Sequence, residues 1–221
     1  MRIVIKFPTR SRPQKFLEVF EKYQKFLSGK HEVRFVVSID LDDETMGDAV
    51  VDRILAYGNV AVHRGNSKTK IEAVNADLDK IGTDFDILML ASDDMIPQLR
   101  NYDDRIATDM AENFPDLDGV LAYKDGRRDD DLITFAIVGK KYFDRFGYLY
   151  NPIYKSVYAD NEFTDVAKKL EKVKYFDLVP FVHGWADYVG WDDLMKRNED
   201  RSTYIRDQGV FNFRKSQGFP R

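Results

Sequence analysis

The sequence predicts an α/β domain built on a mainly parallel central sheet. Three observations carry that prediction. Over the first two thirds of the chain, short β-rich apolar runs alternate with segments of helical spacing, the pattern of strand–helix units. The run Ile87-Leu88-Met89-Leu90-Ala91 is apolar at every position, as a strand buried on both faces must be. The predicted strands also end in polar residues, where ligands gather in open parallel sheets. A chain of 221 residues with 43% hydrophobic and 33% charged residues can bury one core and solvate one surface, so a single domain is expected.

The elements follow in order. Arg2 to Phe7 reads as a first strand, and Pro8-Thr9-Arg10-Ser11-Arg12-Pro13 as a loop. Phe16, Phe20, Tyr23 and Leu27 recur on one helical face. Val33 to Ile39 forms a second strand ending at Asp40, a helix spans about Thr45 to Tyr57, and Asn59 to His63 forms a third strand. A third helix carries Ile71, Val74, Leu78 and Ile81, with Thr69 and Glu72 as a capping box at its start. Ile87 to Ala91 is the central strand and ends at Ser92-Asp93-Asp94. Beyond it, a helix with Tyr102, Ile106 and Met110 leads to a strand at Gly119 to Tyr123. The charged turn Lys124 to Asp131 follows, then a strand at Ile133 to Val138. A helix from Asp160 to Lys172 buries Phe163, Val166, Ala167 and Leu170, and Tyr175 to Val182 is the last strand, ending at His183. From Trp185 to Arg221 the chain is helical in parts and rich in charge and aromatics.

Composition excludes several chemistries. There is no cysteine, which removes disulfides, thiolate metal sites and thiol nucleophiles. With only His31, His63 and His183, a metal site must lean on carboxylates. The net charge of −4 disfavours a protein that coats nucleic acid. No stretch reaches the ~20 apolar residues of a membrane span, and Met1 to Phe7 leads into turn chemistry rather than a signal peptide, so a soluble cytoplasmic protein is expected.

Candidate site residues lie where the predicted strands end: Pro8 to Arg10, Asp40 with Asp42, Arg64 to Lys68, and Asp93 with Asp94. Any one such Asp also suits a helix cap or turn; the recurrence points to a site. Adjacent carboxylates at a buried strand end repel and lose hydration, so they need a cation or donors. A hard divalent ion that also takes substrate phosphates answers that need.

These motifs together resemble the GT-A nucleotide-diphospho-sugar transferases, particularly glycosyltransferase family 2. The resemblance rests on the Asp93-Asp94 pair, the Pro8-Thr9-Arg10 loop, Gly65-Asn66-Ser67-Lys68 with Asn75, Ala159-Asp160-Asn161-Glu162-Phe163, and the late His183, over about residues 3 to 185. It implies a Rossmann-like GT-A fold, with a nucleotide-sugar half at residues 1–95 and an acceptor half at 96–221. Pro8, Thr9 and Arg10 would line the nucleotide pocket and Asp40 would meet the base. Lys68 or Arg64 would lie near the base or sugar-phosphate, and Asp93 would bind ribose or sugar hydroxyls. Asp94 and His183 would hold Mn²⁺ or Mg²⁺, and Asp160, or alternatively Glu162, would be the general base. The sequence departs from the family at Ser92 and Ala159, where acidic residues are usual.

The implied activity is metal-dependent, inverting transfer of a sugar, most simply from a uridine diphosphate (UDP) sugar, to an acceptor hydroxyl. The acceptor is a glycan, a glycolipid, or modified DNA approached by the basic tail of Arg197, Arg201, Arg206, Arg214, Lys215 and Arg221. Trp185, Tyr188 and Trp191 form either a sugar-stacking platform or part of the core. Two other readings remain. Val36 to Asp42 superficially matches the nucleophile strand of haloacid-dehalogenase-type phosphohydrolases, although it is not the first strand and Glu44 stands where that motif needs Thr or Val. A catalytically inactive module that only binds a nucleotide is the other.

Overall fold

The computed structural model describes residues 1–128, 130–184, 191–198 and 200–220. The strands β1 (Arg2–Thr9), β2 (Glu32–Asp40), β3 (Val60–Gly65) and β4 (Ile87–Leu90) are mutually parallel. β5 (Met95–Pro97) leaves the sheet. β6 (Val120–Tyr123), β7 (Ile137–Gly139) and β8 (Val173–Phe176) complete it, and β9 (Phe181–His183) pairs with β5. The order across the seven-stranded sheet is β3-β2-β1-β4-β7-β6-β8, with β7 alone running opposite to the rest.

Residue alternation splits the core into two layers. Ile3, Ile5 and Phe7 of β1, Phe35, Val37 and Ile39 of β2, and Ile87 and Met89 of β4 face one layer. It is closed by α1 (Pro13–Lys25), α2 (Asp48–Leu55) and α4 (Tyr102–Asn113). Pro13 opens α1 where its missing N–H costs nothing, and Lys22 and Lys25 sit at the carbonyl end. The opposite faces, with Val4, Val36, Leu88 and Leu90, meet α3 (Lys70–Asn75), α5 (Lys140–Asp144) and α6 (Ala159–Lys169). Val210 and Phe211 of the tail also pack on this layer. The tail holds α7 (Asp193–Asn198) and α8 (Arg201–Ser216), the latter capped by Asp200, whose carboxylate accepts the N–H groups of Ser202 and Thr203.

Four expectations need correction. The third helix does not run to Ile81: α3 stops at Asn75, Asp77 takes φ +60°, and Leu78–Lys80 forms a separate 3₁₀ turn that still buries Leu78 and Ile81. The strand expected from Ile133 pairs only from Ile137, because the N–H of Ile133 is taken by the Thr164 hydroxyl. The last strand is two: β8 parallel to β6, then β9 in another sheet, with Pro180 between them lacking the N–H a continuous strand needs. β5 and α5, each five residues or fewer, gave no periodic signal. The second helix is also shorter than expected, α2 following a 3₁₀ turn at Glu44–Met46.

Because β2 and β4 flank β1 on opposite sides, the strand order reverses there and a crevice opens beyond the carboxyl ends of β1, β2 and β4. β5 and β9 extend it, bringing His183 opposite Met95, one residue from Asp94.

Candidate active site

The crevice is a cleft of about 680 Å³, ample for a nucleotide-sized ligand. On its β1 side, Pro8, Thr9 and Arg10 line the wall. The Arg10 guanidinium donates to Asp40 at 2.8 Å and also to Asp42, and Asp40 accepts the N–H of Ser67 at 2.9 Å. Asp40 thus ties the loops after β1 and β3 together at the cleft rim. The hydroxyls of Thr9 and Ser156, both lining the cleft, are buried without a hydrogen-bond partner. Buried orphan hydroxyls are uncommon in native folds, and these two belong to residues of the cleft wall.

The centre of the site is acidic, with Asp93 and Asp94 side by side just beyond the end of β4. Asp93 is buried beside Arg12, which donates to it at 3.1 Å and forks onto Asp192 at 2.7 and 2.9 Å. Burial, followed by the charge of Asp94, pushes the Asp93 carboxyl up despite Arg12. Asp94 behaves oppositely: burial opposes its charge, yet His183 and the Ser92 hydroxyl hold its carboxyl well below the usual range. Ser92, the first departure from the family pattern, therefore orients Asp94. The Asp94 Oδ2 to His183 Nε2 separation is 3.4 Å, and Asp125 lies 3.8 Å from His183 Nδ1. Burial lowers the imidazole, but Asp125 and Asp94 more than offset it and raise it to about 9.

Asp160 stands in the first turn of α6, lining the cleft from the opposite layer. Its Oδ1 accepts the N–H of Asn161 at 2.9 Å. Burial raises its carboxyl above the ordinary value, with Lys70 and Arg128 pulling the other way. Ala159, the second departure, is in the core, where a carboxylate would be desolvated without a partner. Glu162 turns away from the cleft. Arg214 grips it at 2.7 and 2.9 Å, Asn151 donates at 2.8 Å and the Tyr154 hydroxyl at 2.7 Å.

The structure does not bring Arg64 or Lys68 to the cleft lining. Arg64 donates to the Met46 carbonyl at 3.1 Å, while exposed Lys68 offers its carbonyl to Arg197 at 2.6 Å. Lys70, two residues on, takes that place and lies within electrostatic reach of Asp94, Asp160 and His183. Sequence reasoning missed Lys70, Arg12 and Asp125. Lys70 had a signal as the first residue of a helix capped by Thr69; Arg12 and Asp125 had none, since their partners are 81 and 58 positions away in the chain. Trp185 and Tyr188 lie outside the described residues, and Trp191 is half exposed. The tail reaches the cleft through Met195, Arg197 and Tyr204.

Among solved structures, Staphylococcus aureus TarS superposes over 96% of this chain at a TM-score of 0.66 and 16% identity. A mannosyltransferase of Pyrobaculum calidifontis, crystallised with GDP-Man and Mn²⁺, matches over 97% at 0.64 and 10% identity. The chain has the GT-A fold. A Drosophila galactosyltransferase in complex with manganese, UDP-Gal and xylobiose adds a third match, at 0.59 and 12% identity over 93% of the chain. The chain spans 43% of that TarS chain, 71% of TarS 1–349 solved with UDP-GlcNAc, 75% of the mannosyltransferase chain and 79% of the galactosyltransferase chain. A 4-diphosphocytidyl-2C-methyl-D-erythritol synthase of Anaerococcus prevotii also superposes, at 0.55 and 12% identity, so chemistry must be argued from the cleft. No family model and no curated protein matches the sequence.

Proposed function

We propose that this protein is a metal-dependent, inverting glycosyltransferase that moves a hexosyl group from a nucleotide diphosphate sugar, most simply a UDP-sugar, to an acceptor hydroxyl. The observation that carries this reading is the convergence of Asp94–His183, Lys70 and Asp160 on one cleft at the switch point of a GT-A sheet. Residues 1–95 supply the donor side, with Thr9, Arg10 and Asp40 around the nucleotide and Asp93 near the ribose or sugar. The later residues supply the acceptor side.

The donor set of Asp94 and His183 fits a divalent cation: one carboxylate and one imidazole, 3.4 Å apart at the cleft, suit Mn²⁺ or Mg²⁺ when phosphate oxygens complete the shell. Among the described residues no cluster of three or more His, Asp or Glu could hold a metal unaided, so cation and diphosphate are expected to bind together. When bound, the ion would neutralise charge developing on the leaving diphosphate. Lys70 adds a positive charge beside the same groups. Asp160, its basicity raised by burial, would take the proton of the attacking hydroxyl, a contribution of roughly 10²- to 10⁴-fold. A single base facing the leaving group across the cleft gives one displacement and inversion.

Incubation with a panel of nucleotide sugars tests this. Wild type is expected to release nucleoside diphosphate with Mn²⁺ present and Asp160→Asn to bind donor without turning it over. Turnover retained in Asp160→Asn would show that the base is assigned wrongly.

A further inference from the structure

The loop between β6 and β7 does more than close the cleft. Asp125 lies two residues beyond the end of β6, is only 4% exposed, and is fixed from several directions. Its Oδ1 accepts the N–H groups of Arg127 and Arg128, both at 2.9 Å, and its Oδ2 accepts the Thr134 hydroxyl at 3.1 Å. Its main-chain carbonyl accepts the N–H of His183 at 2.8 Å. On the other side of the same histidine, the N–H of Gly184 donates to the carbonyl of Asp94 at 2.7 Å. The end of β9 is therefore clamped between two aspartate loops, and the imidazole lies between their carboxylates, Nε2 toward Asp94 and Nδ1 toward Asp125.

The seat of this loop is made by a glycine. Gly126 has φ +72°, and a Cβ there would stand 3.1 Å from Val182 Cγ2 and 3.2 Å from Val179 Cγ1, tighter than ordinary contact. Val182 precedes His183, so the loop packs onto the strand that carries the imidazole.

We propose that Asp125 is a positioning residue of the cation site: its carboxylate, 3.8 Å from Nδ1, closes on the ring to accept the Nδ1–H of His183 when the ion binds, leaving the Nε2 lone pair directed to the Asp94 side. This rests on the reading that Asp94 and His183 hold the divalent ion. A metal-binding imidazole nearly always gives its other N–H to a carboxylate, carbonyl or water, and loss of that partner costs 10- to 100-fold in metal affinity. Of the two carboxylates facing His183, Asp94 opens to the cleft and Asp125 is buried behind the ring. The geometry divides the roles accordingly.

Calorimetry of Mn²⁺ binding in the presence of UDP, with wild type, Asp125→Asn and Thr134→Val, is paired with long-range ¹H–¹⁵N spectra of the Mg²⁺–UDP protein. The chain has three histidines, so His183 is assignable. Expected are Mn²⁺ binding weakened 10- to 100-fold in Asp125→Asn with UDP alone bound as by wild type, a smaller loss in Thr134→Val, and a wild-type His183 protonated on Nδ1. A purely structural role for Asp125 would lower thermal stability and leave Mn²⁺ affinity unchanged; that result, or a wild-type His183 protonated on Nε2, overturns the proposal. Absence of Mn²⁺ binding by wild type removes the cation site itself and this role with it. If Asp125→Asn does not fold, Thr134→Val and the wild-type spectrum decide the matter.

Discussion

Two ionisable groups, Asp160 partly buried in the cleft wall and Lys6 fully buried in the sheet, show opposite relations between stability and use. Asp160 carries a carboxyl raised by burial, so its ionised form is disfavoured in the folded state. The stability it contributes is present below the ordinary carboxylate pKa and is lost as pH rises through the raised value. Asp160→Asn is therefore expected to raise the melting temperature at pH 7 while cutting transfer by about 10²-fold or more, a stability–activity exchange read by calorimetric melting and a transfer assay. Lys6 lies fully buried in β1, donating to Ser38, which in turn donates to Asp77; burial lowers its pKa to about 7 from 10.5, with Asp77 pulling upward. Unfolding takes up a proton between those two values, so wild-type stability gains with rising pH across that window. Lys6→Met, a near-isosteric apolar replacement, is expected to stabilise the fold by a few kcal/mol at pH 7, on the order of the cost of the shift. In urea titrations that advantage should shrink toward pH 10; a variant less stable than wild type at pH 7 would show that the Lys6–Ser38–Asp77 chain outweighs its desolvation.

At the level of elements, α8 acts on the segment that leads to Asp160. Asp207 is fully buried and accepts the N–H groups of Lys155, Ser156 and Val157 at 2.8–3.2 Å, and Arg206 donates to the carbonyl of Ile153 at 2.9 Å. The Tyr158 hydroxyl meets that of Tyr204 at 2.7 Å. Asp207→Ala leaves three main-chain donors, that of buried Ser156 among them, without this acceptor and is expected to cost about 3 kcal/mol in chemical denaturation. It should also lower kcat more than it changes UDP affinity, because the loop it frees precedes Asp160, the proposed base, rather than the loops proposed to hold the nucleotide. None of this was legible in the sequence, where α8 read only as a charged, aromatic tail. Strands β1, β2 and β4 were legible because each pairs in parallel with a neighbour and is mostly buried on both faces, which leaves a largely apolar run. The break at Pro180 and the early end of α3 are tertiary outcomes. In the first, the chain changes sheets to bring His183 to Asp94; in the second, Asp77 turns to accept from Ser38 and Lys80. Asp93, Asp94, Asp160 and His183 announced themselves by lying at element ends. Arg12, Lys70 and Asp125 emerged only once loops from distant parts of the chain met.

For the molecule as a whole, the sheet order places the cleft and the two helical layers build its walls, and no helix among the described residues is long and apolar enough to cross a membrane. The fold alone is shared by sugar transferases and a diphosphocytidyl synthase, so the account stands on Asp94 and His183 acting with the diphosphate. With the two proposed donors Asp94 and His183 among the described residues, neither cation nor nucleotide should bind well without the other, and linkage makes that dependence reciprocal. Titration of UDP into the protein by calorimetry, with and without Mn²⁺, measures it directly. The account predicts binding about tenfold or more tighter with Mn²⁺, and loss of that enhancement in Asp94→Ala; UDP affinity indifferent to Mn²⁺, or an enhancement that survives Asp94→Ala, would contradict it.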